Sequence, residues 1–275
     1  MRVINKYVQY DTFCKMVNIP KNTFIFGLGD IIRGSISAYE ICSRLNVPFS
    51  ADFSDHPIRE FLEGDSAISN APIPLAANQG KELEAFLEKN RSAGTELVIY
   101  ANCFPIYPIS NDCKLYMQKV LQPKMILETA IENTFKGLGI TKGKYICISI
   151  RMGDASFNEN NSNESKYEQV SQKVLSMLAN LPNGHEQHIL VSDDKGICKY
   201  FAERFNFKVR NTKPCHLGIV QFGDENIVDT LVDFFILSRC ATIVHYSVHH
   251  WISGFCHWTS NIFNIPLVAF TETRA

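Results

Sequence analysis

Hydrophobic positions along this chain fall into two alternating patterns, short unbroken apolar runs and longer stretches with apolar residues at helical spacing. Asn22 to Phe26 is a short β-type run, and Gly27-Leu28-Gly29-Asp30 breaks it. Ile31, Ile32, Ile36, Tyr39, Ile41 and Leu45 then resume with near-helical spacing. Val47 to Phe53 reads as the next strand, ending in the acidic pair Asp52 and Asp55, so the first unit is β-α-β.

Pro57 to Ala77 is irregular, Lys81 to Lys89 is helical in pattern, and Leu97 to Tyr100 is a short buried strand. Lys114 to Leu138 is helical again with an interruption at Pro123, which cannot continue a helix interior. Gly137-Leu138-Gly139 stops that helix, and a domain boundary is expected there, giving domains 1–140 and 141–275. Tyr145 to Ile150 is a strand running into Arg151-Met152-Gly153-Asp154. The Asn-rich stretch Phe157 to Ser165 is an exposed loop, followed by a helical pattern from Tyr167 to Leu181. Further strands are expected at His188–Val191, Phe207–Arg210 and Thr242–His245, with helices at Ile197–Phe205, Ile227–Cys240 and from Phe255 onward. Strands alternating with helices predict an α/β protein with mostly parallel sheets and ligands at the C-terminal ends of the strands.

Composition narrows the function classes. At 275 residues, with 45% hydrophobic and 20% charged residues, the chain has the make-up of one large or two compact globular domains and not of a disordered or fibrous protein. A net charge of −1, with no long run of one sign, argues against a nucleic-acid partner. No stretch of about 18 uncharged apolar residues and no leader-like start is visible, so no membrane span and a cytoplasmic location are expected. The 9 cysteines are scattered without a CxxC pair, as expected of buried thiols in a reducing compartment.

Four places carry candidate chemistry. Gly27 and Gly29 sit where a strand hands over to a helix, so the backbone can approach a ligand and offer amides to phosphate; a tight turn without a ligand is the alternative. Ile32 stands where a GxGxxG fingerprint needs its third glycine, which disfavours an NAD site. Arg151 at the end of a parallel strand can bind a diphosphate bidentately and stabilise charge growing on it, while a salt bridge to Asp154 is the structural alternative. Ser192 and Asp193 close another strand, where they either contact a ligand or cap the helix that follows. His245 to Trp251 forms a polar and aromatic patch after the last of these strands. His245, His249, Cys256 and His257 also raise a zinc reading, weakened because His245 ends a strand and shares no helix face with His249.

In order along the chain, these elements resemble the fucosyltransferase-like clan of inverting glycosyltransferases, which includes the bacterial nodulation fucosyltransferase, the α-1,6-fucosyltransferases and the protein O-fucosyltransferases. The resemblance lies in a GxGxxxxR-like loop (Gly27, Gly29, Asp30, Arg33), an HxRxGD-like strand end (Ser149, Arg151, Gly153, Asp154), the Ser192-Asp193-Asp194 step, and a late hydrophobic helix leading to a Ser-rich motif. It implies a GT-B fold, with two Rossmann-like domains and a cleft between them, an acceptor-side domain at 1–140 and a nucleotide-sugar domain at 141–275. Arg151 would bind the β-phosphate and Asp154 would belong to the same motif. Gly29 and Asp30 would lie near the diphosphate and acceptor, Asp193 with Ser192 near the nucleotide, and Ser247, His249, His250 and Trp251 would complete the phosphate site. Two departures stand out: Ser149 replaces the histidine before the arginine, and His249-His250-Trp251 replaces a Ser-Ser-Phe segment.

The implied reaction is a single displacement in which a glycan hydroxyl attacks the anomeric carbon and the nucleoside diphosphate leaves. GDP-fucose is the donor by resemblance, and another such as UDP-xylose stays open. Arg151 would stabilise the leaving group, and Asp30 is the first candidate base, followed by Glu159 and, less well placed, Asp52. No metal or other cofactor is required, because the arginine and helix ends supply the positive charge and an Asp-x-Asp metal motif is absent. The other classes open to this sequence are a non-catalytic nucleotide- or carbohydrate-binding module and a different α/β enzyme acting on a phosphate ligand.

Overall fold

A computed structural model describes residues 1–8, 14–15, 27–65, 69, 71–92, 94–153, 164–181, 187–210, 217 and 224–273. The chain divides into two compact units, Met1–Glu128 with His216–Val228, and Thr129–Cys215 with Asp229–Ala275.

The first unit holds a parallel sheet in the order β2-β1-β4-β3, with β1 at Arg2–Val8, β2 at Phe49–Asp55, β3 at Leu75–Ala77 and β4 at Glu96–Ala101. Helices α1 (Leu28–Arg44), α2 (Gly80–Asn90) and α3 (Asn111–Val120) connect it. The expected glycine-led helix is α1; the strand expected at Asn22–Phe26 lies outside the described residues. The central strand is β1, which the apolar pattern does not reveal because Asn5 and Lys6 interrupt it. Both are buried and satisfied inside the unit. Asn5 Oδ1 accepts from the Ala101 N–H at 2.8 Å, and Lys6 Nζ pairs with Asp55 at 2.9 Å. Helix α1 lies so close to β4 that a Cβ on Gly34 would fall 1.8 Å from the Ala101 carbonyl oxygen. Only glycine permits that approach.

Helix α4 (Met125–Leu138) begins in the first unit and ends in the second. The expected long helix is thus two, α3 and α4, split around Pro123 as its missing N–H requires.

The second unit holds a five-stranded parallel sheet in the order β7-β6-β5-β8-β9, from β5 (Ile146–Arg151), β6 (His188–Ser192), β7 (Lys208–Val209), β8 (Thr242–Ser247) and β9 (Leu267–Thr271). Its helices are α5 (Glu164–Ala179), α6 (Lys195–Phe205), α7 (Asp224–Ser238) and α8 (Gly254–Phe263). Ile146, Ile148 and Ile150 pack with Val170, Val174, Phe201 and Tyr246 in one core cluster. The other face of β5 carries Cys147 and Ser149, both buried, so the strand reads as an apolar run interrupted by Ser149 alone. The chain steps outward from β5 through β6 to β7, then crosses back to β8 and β9 on the other side. That order is the Rossmann one, and its reversal falls between β5 and β8, where α/β sheets bind ligands. Strands β3 and β9 were not expected from the sequence: the first has only 3 residues, and the second is an edge strand with Val268, Ala269 and Phe270 exposed.

The eight described cysteines are free thiols, seven of them buried. Among the described residues, no helix is long and apolar enough to cross a membrane.

Candidate active site

The reversal point between β5 and β8 collects most of the residues singled out from the sequence. Arg151 ends β5 and pairs in register with Ser247 at the end of β8, while β6 on the other side ends in Ser192. Arg151 Nη1 lies 3.0 Å from Asp193 Oδ2, in an ion pair whose carboxylate is 4% exposed and whose guanidinium side chain is 24% exposed. The anion is therefore sunk in the protein and the cation reaches the surface.

Asp193 does more than pair. Its Oδ1 accepts the Met152 N–H at 2.8 Å and its Oδ2 the Gly153 N–H at 3.0 Å. Burial raises the Asp193 carboxyl above the ordinary carboxylate range; Arg151 and the two backbone N–H groups oppose that rise. One carboxylate thus fixes both the direction of Arg151 and the backbone turn behind it. That turn needs Gly153, whose φ of +111° lies where other residues are strained. The expected alternative partner of Arg151, Asp154, lies outside the described residues, as does Glu159.

Ser192 Oγ donates to the Ile150 carbonyl at 2.7 Å and accepts the Asp194 N–H at 3.1 Å, so its hydroxyl ties β6 to β5. The cap of α6 is Asp194, whose Oδ1 accepts the Ile197 N–H at 3.0 Å; the capping expected of Ser192 or Asp193 falls one residue later.

From β8 the chain enters the segment 248–253. The Val248 N–H donates to the Arg151 carbonyl at 3.1 Å, and the His249 N–H to Ser247 Oγ at 3.1 Å. The His249 ring stacks on Trp251 at 4.5 Å and 10°, with His250 edge-on to the same indole at 4.5 Å. Trp251 is 51% exposed, an aromatic face held open by its neighbours. A Cβ on Gly153 would come 3.3 Å from His249 Nε2, so the imidazole rests directly against that turn. Helix α8 starts beyond Ser253 with no side-chain cap, and its first amides carry the positive end of the helix dipole.

His245 is fully buried, and both its nitrogens are committed. Nδ1 lies 3.1 Å from the Ser149 carbonyl oxygen, and Nε2 accepts the Ser253 N–H at 3.1 Å. That leaves no lone pair for a metal, which answers the zinc reading at its first ligand. Burial, with Arg151 adding to it, pushes the imidazole pKa down to about 4. Among the described residues no group of three or more His, Cys, Asp or Glu side chains could hold a metal ion.

In the first unit, Gly27 is the N-cap of α1 and its N–H donates to Asp30 Oδ2 at 2.9 Å. Asp30 Oδ1 pairs with Arg33 Nη2 at 2.7 Å, and that nitrogen also donates to Asn102 Oδ1 at 2.6 Å. Arg33 in turn lies 4.2 Å over the ring of Phe104, which is 65% exposed. Gly29 sits in the first turn of α1. Asp52 is buried, accepting the Ser54 N–H at 2.8 Å and the Ser69 N–H at 3.2 Å. The sequence reading passed over Met152, Asn102, Phe104 and Ser253. The first and last act only through backbone amides, for which no side-chain signal exists.

No protein-family model and no curated protein matches the chain. Solved structures do. The fucosyltransferase NodZ from Bradyrhizobium matches with a TM-score of 0.59 at 15% identity, over 98% of this chain and 95% of that one. A NodZ α-1,6-fucosyltransferase soaked with GDP-fucose matches with a TM-score of 0.60 at 15% identity, over 98% and 94%. An Arabidopsis thaliana FUT1 variant in complex with GDP matches with a TM-score of 0.62 at 8% identity, over 99% of this chain and 70% of that one. Two parallel α/β sheets, in the order described and superposing on these enzymes over nearly the whole chain, make this a fucosyltransferase-like fold of the GT-B type.

Proposed function

We propose that this chain is an inverting glycosyltransferase that moves a sugar from a nucleoside diphosphate sugar to a hydroxyl of a glycan acceptor, without a metal ion. The observation that carries the reading is Arg151, a guanidinium at the reversal point of a Rossmann-type sheet, aimed by a buried carboxylate and set beside an uncapped helix start. GDP-fucose is the donor we favour, on the resemblance of the Arg151 motif and on the ligand named with the NodZ structure.

In this reading the second unit binds the donor and the first serves the acceptor. The acceptor oxygen forms a bond to the anomeric carbon on the face opposite the diphosphate. The bond from that carbon to the diphosphate oxygen breaks, and its electron pair leaves with the nucleotide. Arg151 and the first amides of α8 meet the charge that develops there, which is the task a divalent cation performs elsewhere. Trp251, with His249 stacked on it, offers a flat face to the base or the sugar. The acceptor proton must pass to a carboxylate. Each oxygen of Asp30 meets one partner, the Gly27 N–H or Arg33, and each keeps a further lone pair with which a proton can be taken. We therefore place Asp30 first as the base, in a loop it also shapes, and Glu159 second.

The test is a thermal-shift panel of GDP, UDP, ADP and NAD on the wild type and Arg151→Ala. A ligand that binds only the folded protein raises its melting temperature by mass action. Stabilisation by one nucleoside diphosphate that vanishes in Arg151→Ala is expected. Stabilisation by NAD alone, or by no nucleotide, refutes the proposal. Binding of the donor without transfer or hydrolysis would leave a nucleotide-binding module, a second reading prompted by His249-His250-Trp251 and by Ser149 standing before the arginine.

A further inference from the structure

His245 and Ser149 are register partners on adjacent strands, β8 and β5. The HxRxGD-like motif carries Ser149 at its first position, and the neighbouring strand lays an imidazole against that residue. The ring's protonation pattern follows from its partners. A carbonyl oxygen only accepts, so Nδ1, at 3.1 Å from the Ser149 oxygen, carries the hydrogen. A backbone N–H only donates, so Nε2, at 3.1 Å from the Ser253 nitrogen, keeps its lone pair. Ser149 Oγ lies 3.3 Å from Nδ1 and accepts from Cys256 Sγ at 3.0 Å, a contact from the first turn of α8. The ring thus bridges the end of β5, two residues before Arg151, to the N-cap of α8.

The segment between is tied at both ends. Val248 and His249 are held at its start by Arg151 and Ser247, and Ser253 is held at its end by His245. We propose that His245 is a positioning residue for the diphosphate site: as the Nδ1–H tautomer, it fixes the 248–253 segment and the start of α8 with respect to Arg151. This rests on the donor-site reading above. The helix start has no side-chain cap, so without the Nε2 acceptor the Ser253 N–H loses its partner and the first amides of α8 lose their aim.

Side-chain length gives the test. In His245→Gln the amide oxygen reaches the Nε2 position and can accept the Ser253 N–H; in His245→Asn the shorter amide stops near the Nδ1 position and cannot. GDP affinity by titration calorimetry and amide exchange at Ser253 are measured on both variants and the wild type. His245→Asn is expected to bind GDP about tenfold more weakly and to lose protection at Ser253, as for one lost buried hydrogen bond, whereas His245→Gln stays within about threefold and keeps it. Equal behaviour of the two variants, or unchanged Ser253 protection in His245→Asn, overturns the proposal. If wild type binds neither GDP nor UDP, the functional reading falls, and the exchange data alone decide whether His245 holds the segment. If His245→Asn fails to fold, imidazole nitrogen shifts of the wild type decide: the Nδ1–H tautomer supports the proposal and the Nε2–H tautomer overturns it.

Discussion

Asp193 can act in either of two ways, and one substitution separates them. If it works through Arg151, Asp193→Asn weakens every diphosphate ligand alike; if it reads the ribose or base, only nucleosides lose affinity. The carboxylate is held at 3.0 Å by Arg151 and at 2.8 and 3.0 Å by the Met152 and Gly153 N–H groups, with Ser192 Oγ more distant at 3.4 Å. An asparagine keeps one accepting oxygen and turns an NH2 towards donors. The loss is then one charge-assisted hydrogen bond, about 1.5–3 kcal/mol, and one backbone N–H left unmet, about 1–3 kcal/mol. Arg151 is 24% exposed and recovers water, so the sum is discounted to about 2 kcal/mol of stability. For binding, Arg151 remains but is no longer aimed, and about a tenfold loss is expected against about a hundredfold in Arg151→Ala. The assay is calorimetric titration of GDP, UDP and inorganic pyrophosphate into both variants. Parallel losses across the three ligands are expected in Asp193→Asn. A loss confined to one nucleotide, with pyrophosphate unchanged, refutes the positioning argument and makes Asp193 a base or ribose contact.

The remaining predictions concern the two carboxylate candidates and the buried imidazole. Asp30→Asn is expected to lower the stability of the first unit by about 1 kcal/mol, through the lost capping contact, and turnover by about 10²–10⁴; Glu159→Gln is expected to leave turnover within severalfold. Rate measurements showing the reverse would move the base to Glu159. For His245, an ordinary imidazole pKa of 6.5 is pushed down to about 4 by burial and by Arg151, the charged group that faces it beside Ser149 and Cys256. The unfolded chain then binds the extra proton between those values, so stability is intact above pH 6.5 and falls as pH drops towards 4, by about 3 kcal/mol in full. His56, also pushed down to about 4, adds a loss of the same sign in the first unit. Denaturation of wild type and His245→Gln across this range isolates the His245 share: the variant's second unit should lose less stability on acidification, and identical pH profiles would refute the assignment.

What the sequence could and could not say follows from where the information lies. Strand β5 and Arg151 were legible because a short run, apolar but for Ser149 and ending in a cation and a glycine, has few structural meanings. Strand β1 was not, because its polar residues Asn5 and Lys6 are matched by Ala101 and Asp55, partners distant in the chain that no local pattern reveals. The same holds at the site. Asp193 was visible as a carboxylate at a strand end, yet its direction is decided by backbone N–H groups 40 and 41 positions away. The departures from the fucosyltransferase-like pattern gain a physical reading only through register: Ser149 looks like a lost histidine along the chain, but in the sheet it lies beside His245. The motif marks where charge must gather. The parallel register brings β5, β6 and β8 to a common end, and there the half-buried Arg151 reaches the surface while Asp193 and His245 are buried behind it; in the proposed site this divides the side chain that meets the ligand from those that hold it.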